Sequence, residues 1–363
     1  MRVIVCAAAL ALAALAAPRA QEPAAFKLAI AGLVHGHVTG FLHAALRYPG
    51  VQIVGVFEPD ATLLRKYAAR YELPDSALFS DFPSMIDRAR PDAIAAFTST
   101  FDHPAIVEAA AARGVHVMME KPLAVSTAHA ERIRDAAARG KVHVLVNYET
   151  TWYRSHGAIW SLVRERRAAG GIRKMVALDG HGGPKAIGVQ PEFLEWLSDP
   201  VKNGAGALFD FGCYGANLMT WLMDNQRPLT VTAVTQRLQP AVYPRVDDEA
   251  TIVLEYPGAQ GIIQASWNWP FNRKDLEVYG ERGFAVASGG DRLRVSFRDE
   301  PERTITPEPL SEDERDPLSH LIAVARGQRT PNALSSLENN MIATEILEAA
   351  RESASTGKRV TFE

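Results

Sequence analysis

The chain is 363 residues long, more than one typical domain, so two are expected. Its 39 basic and 42 acidic residues are interspersed and leave a net charge of -3, which excludes the basic footprint of a nucleic-acid-binding protein. With 47% hydrophobic residues and only two cysteines, stability has to come from buried cores rather than a disulfide framework.

In chain order, residues 1–20 come first and read as a secretory signal peptide: Arg2, an alanine-rich apolar run from Val3 to Ala17, then Pro18-Arg19-Ala20-Gln21-Glu22. The run is too short and too alanine-rich for a membrane span, so no membrane association is expected after cleavage. Without an Arg-Arg pair, the expected route exports an unfolded chain to a periplasmic destination. Cleavage removes Cys6 and leaves Cys213 as a lone thiol, expected to be a small buried apolar residue.

From residue 25 onward strand and helix signals alternate at short intervals. Lys27 to Leu33 reads as a strand, His37 to Arg47 as a helix, Val51 to Phe57 as a strand and Ala61 to Tyr71 as a helix. After a short segment from Ala77 to Ser80 come a helix from Pro83 to Arg90, a strand from Ala93 to Phe97 and a helix from His103 to Arg113. A strand from His116 to Met119, a helix from Ser126 to Arg139 and a strand from Val142 to Val146 follow. This β-α order predicts an α/β class with a doubly wound parallel sheet, a dinucleotide-binding Rossmann domain over residues 25–147.

The period changes near Tyr148. Strands are expected at Lys174 to Asp179, Thr230 to Arg237, Ala250 to Tyr256, Gly261 to Trp267, Leu276 to Tyr279 and Leu293 to Phe297, joined by turns such as Pro257-Gly258 and Gly280-Glu281-Arg282-Gly283. Helices are expected near Ala205 to Met223, Asp316 to Arg326 and Leu337 to Ser353. Residues 148–363 therefore read as an α+β substrate domain, a large, mainly antiparallel open sheet with helices on one face. Its other face is free for homo-oligomerisation.

Three clusters carry chemistry. The first, Gly32-Leu33-Val34-His35-Gly36-His37, follows the first strand and opens a helix, as a dinucleotide-binding turn does. Val34 and His37 stand where the second and third glycines of that fingerprint belong; Gly36 offers close backbone approach instead, and the helix amino terminus attracts a pyrophosphate. The second, Glu58, ends the second strand 26 residues after Gly32, where a carboxylate accepts from ribose hydroxyls and repels a 2'-phosphate, so NAD is expected rather than NADP. The third, Glu120-Lys121-Pro122, ends the His116 strand at the edge where open α/β sheets bind ligands. Lysine pKa moves readily on desolvation, which makes Lys121 a proton-transfer candidate.

With these residues the chain resembles the Gfo/Idh/MocA oxidoreductase family, over everything after residue 20. The unchanged Glu120-Lys121-Pro122 carries the resemblance, together with Thr98-Ser99-Thr100-Phe101-Asp102-His103, which keeps the histidine of the family's Thr-Pro-x-x-x-His and loses its proline. So do Gly204-Ala205-Gly206-Ala207-Leu208-Phe209-Asp210 and the tail segments 335–340 and 353–360. The resemblance implies that Lys121 is catalytic and close to the cofactor, and that Thr98, His103 and Glu120 line the cofactor site with Gly32, Val34, Gly36, His37 and Glu58. Tyr214 stands where most members carry a catalytic histidine, although glucose-fructose oxidoreductase in the same family also has tyrosine. Asp210 and Tyr214 are four apart, so one continuous helix would project both into the same space. Tyr214 is expected to relay a proton, helped by a pKa lowered by Lys121, and Asp210 to position substrate hydroxyls.

The expected reaction is hydride transfer between nicotinamide and a CH-OH carbon of a sugar or cyclic polyol, with no metal. Export argues for a tightly bound NAD recycled in the site. One alternative in the same family is a redox-neutral NAD-dependent glycosidase working by oxidation and elimination; another is a non-catalytic sugar-binding or regulatory member, which the irregular glycine turn favours. Trp152, Tyr153, Trp196, Trp267 and Trp269 are candidates to stack on sugar faces, and His181-Gly182-Gly183-Pro184 for a substrate loop.

Overall fold

The computed structural model describes residues 24–298 and 300–362, so the expected signal peptide and Cys6 lie outside the described residues. Six strands build the first sheet: β1 (Phe26–Ala31), β2 (Val51–Phe57), β3 (Leu78–Phe79), β4 (Ala93–Ala96), β5 (His116–Glu120) and β6 (Val144–Asn147). All pairings are parallel and the order is β3-β2-β1-β4-β5-β6, the doubly wound arrangement whose order reverses between β1 and β4. Every residue of β4 is buried, as a central strand covered by helices on both faces requires. Local chemistry fixes the crossovers. Asp60 caps the helix Ala61–Tyr71 by accepting from Thr62 N at 2.8 Å, and Asp81 caps Phe82–Ala89 by accepting from Ser84 N at 2.9 Å, with Pro83 in the first turn.

The second sheet holds β7 (Ile172–Gly180), β8 (Thr230–Gln236), β9 (Glu249–Tyr256), β10 (Ala259–Ser266), β11 (Arg273–Gly280), β12 (Gly283–Ser288), β13 (Arg292–Phe297), β14 (Arg303–Ile305) and β15 (Val360–Thr361). Its order is β14-β13-β12-β11-β7-β10-β9-β8-β15, antiparallel except where β7 and β10 run parallel at the centre. Residues of β7, β9 and β10 alternate between buried and half-buried, with the buried set, such as Ala177, Ile252 and Ile263, facing the helices. Gly215 on one of those helices sits so close that an added Cβ would be 2.6 Å from Ile263 Cγ2. That contact brings the helix bearing Tyr214 down onto the sheet.

The sequence reading missed the short strands β14 and β15 and the helices Arg154–Trp160 and Pro191–Leu197, and three further features depart from it. The stretch read as one helix from Ala205 to Met223 is two, Ala207–Asp210 and Gly212–Leu222, broken at Phe211. Strand β12 was not anticipated because Ala285, Val286 and Ala287 are buried in succession and erase the alternation. The helix Pro317–Ala325, assigned by position to the second domain, packs on the first: Leu318, Leu321, Ile322 and Val324 share a core with Phe26, Leu28 and Phe97. Among the described residues no helix is long and apolar enough to cross a membrane.

Candidate active site

β5 ends on Glu120, so Lys121 is the first residue beyond the sheet and its peptide to Pro122 is cis. The Lys121 side chain crosses from the first domain to the second, where Nζ donates to Asp210 Oδ1 at 2.5 Å and to the Asp210 carbonyl at 2.9 Å. Both side chains are buried, and Trp267 Nε1 donates to the other carboxylate oxygen at 2.9 Å. Burial works against both charges, but the pair outweighs it: Asp210 holds the Lys121 ammonium above its ordinary pKa, and Lys121 with His181 holds Asp210 below its own. The lysine is therefore a pre-aimed ammonium in this state.

Asp210 is placed by the turn before its helix. Gly206 N and Leu208 N donate to the Asp247 carboxylate at 2.8 and 2.7 Å, and a Cβ on Gly206 would overlap the Asp247 carbonyl. Only glycine fits that approach.

Tyr214 lies beside the lysine, its ring centre 5.1 Å from Lys121 Nζ, edge-on to Tyr148. Asp210 and Tyr214 do share one space, though across a helix break. The expected lowering of the Tyr214 pKa is overturned: burial drives it well above the ordinary tyrosine value, with nearby carboxylates adding to the rise. The hydroxyl stays protonated. Cys213, fully buried, donates to the Asp210 carbonyl at 3.3 Å, and burial pushes its thiol pKa far up.

These groups wall a cavity of about 240 Å³ together with Gly36, His37, His181, Phe211 and Lys274. Lys274 was not anticipated. It sits on β11 at the parity of the buried Leu276 and Val278, so it points to the helix side. Its Nζ is 5.3 Å from the Tyr214 ring centre, and it donates to Glu149 Oε2 at 2.7 Å. Extending the strand's alternation two residues back from Leu276 would have found it. None of the aromatic candidates for sugar stacking lines this cavity. Trp267 is consumed by Asp210, Trp196 donates to the Val34 carbonyl at 3.2 Å, Trp152 donates to Asn147 Oδ1 at 2.9 Å, and Tyr153 donates to Glu149 at 2.5 Å. Of the loop at residues 181–184, His181 and Pro184 do reach it.

A second cavity of about 450 Å³ lies over the point where the first sheet reverses, lined by Gly32, Val34, Glu58, Thr98 and Asp102. Gly32 has φ +83°, and an added Cβ would be 2.6 Å from Thr98 Cγ2, so this turn requires glycine. Glu58 is buried; Oε2 accepts from Leu33 N at 2.8 Å and Oε1 from Asp60 N at 3.1 Å, and burial raises its pKa. Each oxygen has a second lone pair beyond the one its backbone donor uses, and Glu58 lines the cavity. The missing glycines have structural reasons. Gly36 leaves room for Phe193, whose Cδ1 would be 2.7 Å from an added Cβ, so its smallness also serves packing. His37 caps no backbone group with its side chain; Nδ1 bonds Glu120 Oε2 at 3.0 Å, and Glu120 Oε1 accepts from Asn147 Nδ2 at 2.8 Å.

His103 is fully buried behind this wall, with Nδ1 bonded to the Leu123 carbonyl at 3.0 Å. It braces the loop after Pro122 and does not line the cavity. His35, His37 and Glu120 place ligand atoms within 4.8 Å of one another. His35 Nδ1 accepts from His37 N at 3.2 Å, and His37 Nδ1 meets Glu120 Oε2 at 3.0 Å.

Residues 26–148 match the model of the oxidoreductase family with an NAD-binding Rossmann fold, and residues 161–286 match the GFO/IDH/MocA C-terminal domain. The chain belongs to the Gfo/Idh/MocA oxidoreductase family. It is similar to the trans-1,2-dihydrobenzene-1,2-diol dehydrogenase of Sus scrofa, 26% identical over 70% of this chain and 71% of that protein. It is equally similar to the rhizopine catabolism protein MocA of Rhizobium meliloti, 26% identical over 70% and 77%. Its fold matches an inositol dehydrogenase homologue from Azotobacter vinelandii complexed with NAD+, at TM-score 0.80 and 20% identity, covering 93% of this chain and 98% of that one. In this Gfo/Idh/MocA oxidoreductase the glycine turn, Glu58 and the cavity between them fit the dinucleotide that the family's first domain binds.

Proposed function

We propose that the protein transfers hydride between NAD and a CH-OH carbon of a single-ring sugar or cyclic polyol, with Lys121 exchanging the hydroxyl proton. The observation that carries this reading is the buried Lys121–Asp210 pair on the wall of the smaller cavity, one loop away from the Gly32 turn. The nicotinamide, when bound, supplies the hydride acceptor or donor.

The rest falls to the chain's own side chains. In reduction the Lys121 ammonium gives its proton to the nascent alkoxide and Asp210 steadies it; in oxidation a neutral Lys121 Nζ takes the hydroxyl proton as the carbonyl forms. Tyr214 donates a hydrogen bond to a substrate oxygen and stays neutral throughout. A cavity of about 240 Å³ is below the roughly 300 Å³ at which drug-sized sites begin, which favours a single ring over a glycoside with its aglycone. Glu58 supports NAD over NADP.

The alanine-rich amino terminus supports export, and export favours a tightly held, internally recycled cofactor. Exposed Val234 and Tyr279, on the sheet face away from the helices, support assembly through that face. The first experiment is absorbance and fluorescence of the purified protein, followed by turnover of inositols and aldoses. Bound or bindable nicotinamide with oxidation of at least one polyol is expected; absence of both defeats the reading.

A further inference from the structure

Lys274 is a cation that the proton exchange at Lys121 does not require. It lines the same cavity as Lys121, and both ammoniums lie near the same aromatic pair: Lys121 Nζ lies 5.1 and 5.9 Å from the Tyr214 and Phe211 ring centres, and Lys274 Nζ lies 5.3 and 5.8 Å away. A substrate ring in this cavity is within reach of both lysines.

The charges around the two lysines differ. Lys121 spends two donors on Asp210, whose carboxylate is then completed by Trp267. Lys274 spends one donor on Glu149, which is not part of this cavity wall and has a half-exposed side chain. Directly across the strand pair from Lys274 stands Asp179, the nearest candidate for a second counter-charge. Asp179 is fully buried, its Oδ2 makes no hydrogen bond to Lys274 or to any other group, and burial raises its pKa well above the ordinary carboxylate value while Lys274 opposes the rise. His181 on the same wall is held below the ordinary histidine value by burial, with Asp210 opposing the shift. The histidines apart, the cavity wall carries two lysines against the single carboxylate of Asp210. A largely buried ammonium that lines the cavity and spends one of its three donors on Glu149 has donors left for an anionic substituent.

Resting on the reading of Lys121 as the proton-exchanging group, we propose that the substrate is an acidic sugar or polyhydroxy acid, whose carboxylate is bound by Lys274 while a hydroxyl at the other end of the molecule faces Lys121. The protein is then a dehydrogenase of uronate-like or aldonate-like compounds, and Lys274 is the residue that selects charge. The reaction class supplying the substrate is one that releases or forms a carboxylated sugar.

The test compares kcat/KM for D-glucuronate and D-galactonate with that for D-glucose and myo-inositol, in the native protein and in Lys274→Met and Lys274→Arg. The native protein is expected to favour the acids. Lys274→Met is expected to cut the acid-over-neutral ratio by about 10- to 100-fold through KM, as loss of a charge-assisted hydrogen bond implies, and Lys274→Arg to restore much of it. Since Glu149 loses its partner in Lys274→Met, a second readout uses the native protein alone: D-glucuronate should raise its Tm more than D-glucose does. A Tm shift no larger for the acid, or an unchanged ratio in Lys274→Met, overturns the proposal. Turnover of neutral polyols with the acids left untouched overturns this inference alone. Turnover of neither class, with nicotinamide bound, overturns it together with the reading of Lys121.

Discussion

The dinucleotide-side cavity and the substrate cavity are assembled from different kinds of parts. Gly32, Val34 and Glu58 sit within one β-α-β run, joined by main-chain bonds such as Gly32 N to the Phe57 carbonyl at 2.8 Å, with Thr98 from the next strand. The substrate cavity takes Lys121 from the end of β5, Asp210 and Tyr214 from two helices of the other domain, and Lys274 from β11. The first is a backbone cradle, tolerant of side chains provided that one glycine is kept. The second depends on charges that meet only once both domains have folded and docked. Disruption should therefore cost affinity in the first and both chemistry and stability in the second.

The largest effect is expected in the second. Lys121→Met should lower kcat by roughly 10²–10⁴-fold, the worth of a positioned acid-base group. It also strands Asp210 as a buried charge and should cost about 3–5 kcal/mol of stability by denaturant unfolding. Lys121→Met with Asp210→Asn should recover most of that stability and none of the turnover. Recovery of neither would show that the pair is not what joins the two domains at this point.

In the backbone cradle, Gly32→Ala forces a Cβ to within 2.6 Å of Thr98 Cγ2 at φ +83°. An NAD affinity lower by roughly 10- to 100-fold is expected by fluorescence titration, from about 1–3 kcal/mol of backbone strain, with the Lys121–Asp210 region undisturbed. Unchanged affinity would mean that the turn does not hold the dinucleotide. The smallest effect is expected for Tyr214→Phe. Losing one neutral donor should slow turnover about 2- to 10-fold without moving the pH profile, because the hydroxyl does not ionise in the working range. A displaced profile would restore tyrosine as a titrating group.

The same contrast explains what could be read from the sequence. The β-α order, the Gly32 turn, Glu58 and Glu120-Lys121-Pro122 are local patterns, and their elements appear with boundaries shifted by only a residue or two: β5 runs to Glu120 where Met119 was expected, and Val51–Phe57 and Ala61–Tyr71 are unchanged. Asp210 and Tyr214 came from the family resemblance, and the assumption of one continuous helix missed the break at Phe211. Lys274 was hidden because a lysine at the start of a polar-looking strand reads as solvent-facing until its parity with Leu276 and Val278 is followed. His103 was read as a cofactor contact, but the Leu123 carbonyl holds it behind the cavity wall, and packing against Phe193 is a second demand on Gly36 that the local pattern did not show.

The central claim is that Lys121 exchanges the substrate proton from a pKa set by Asp210. Burial alone pushes the lysine pKa down; Asp210 reverses that and carries it above the ordinary value. Oxidation needs the neutral amine, so in the native protein kcat/KM for polyol oxidation should still be climbing as pH rises past neutrality. Asp210→Asn removes the carboxylate and leaves the burial, and the rising limb should move to lower pH by about one unit or more. The direct measurement is kcat/KM against pH for the native protein and Asp210→Asn on the same substrate. A downward shift of the limb is the predicted result, and a limb that stays in place in the variant would contradict the account.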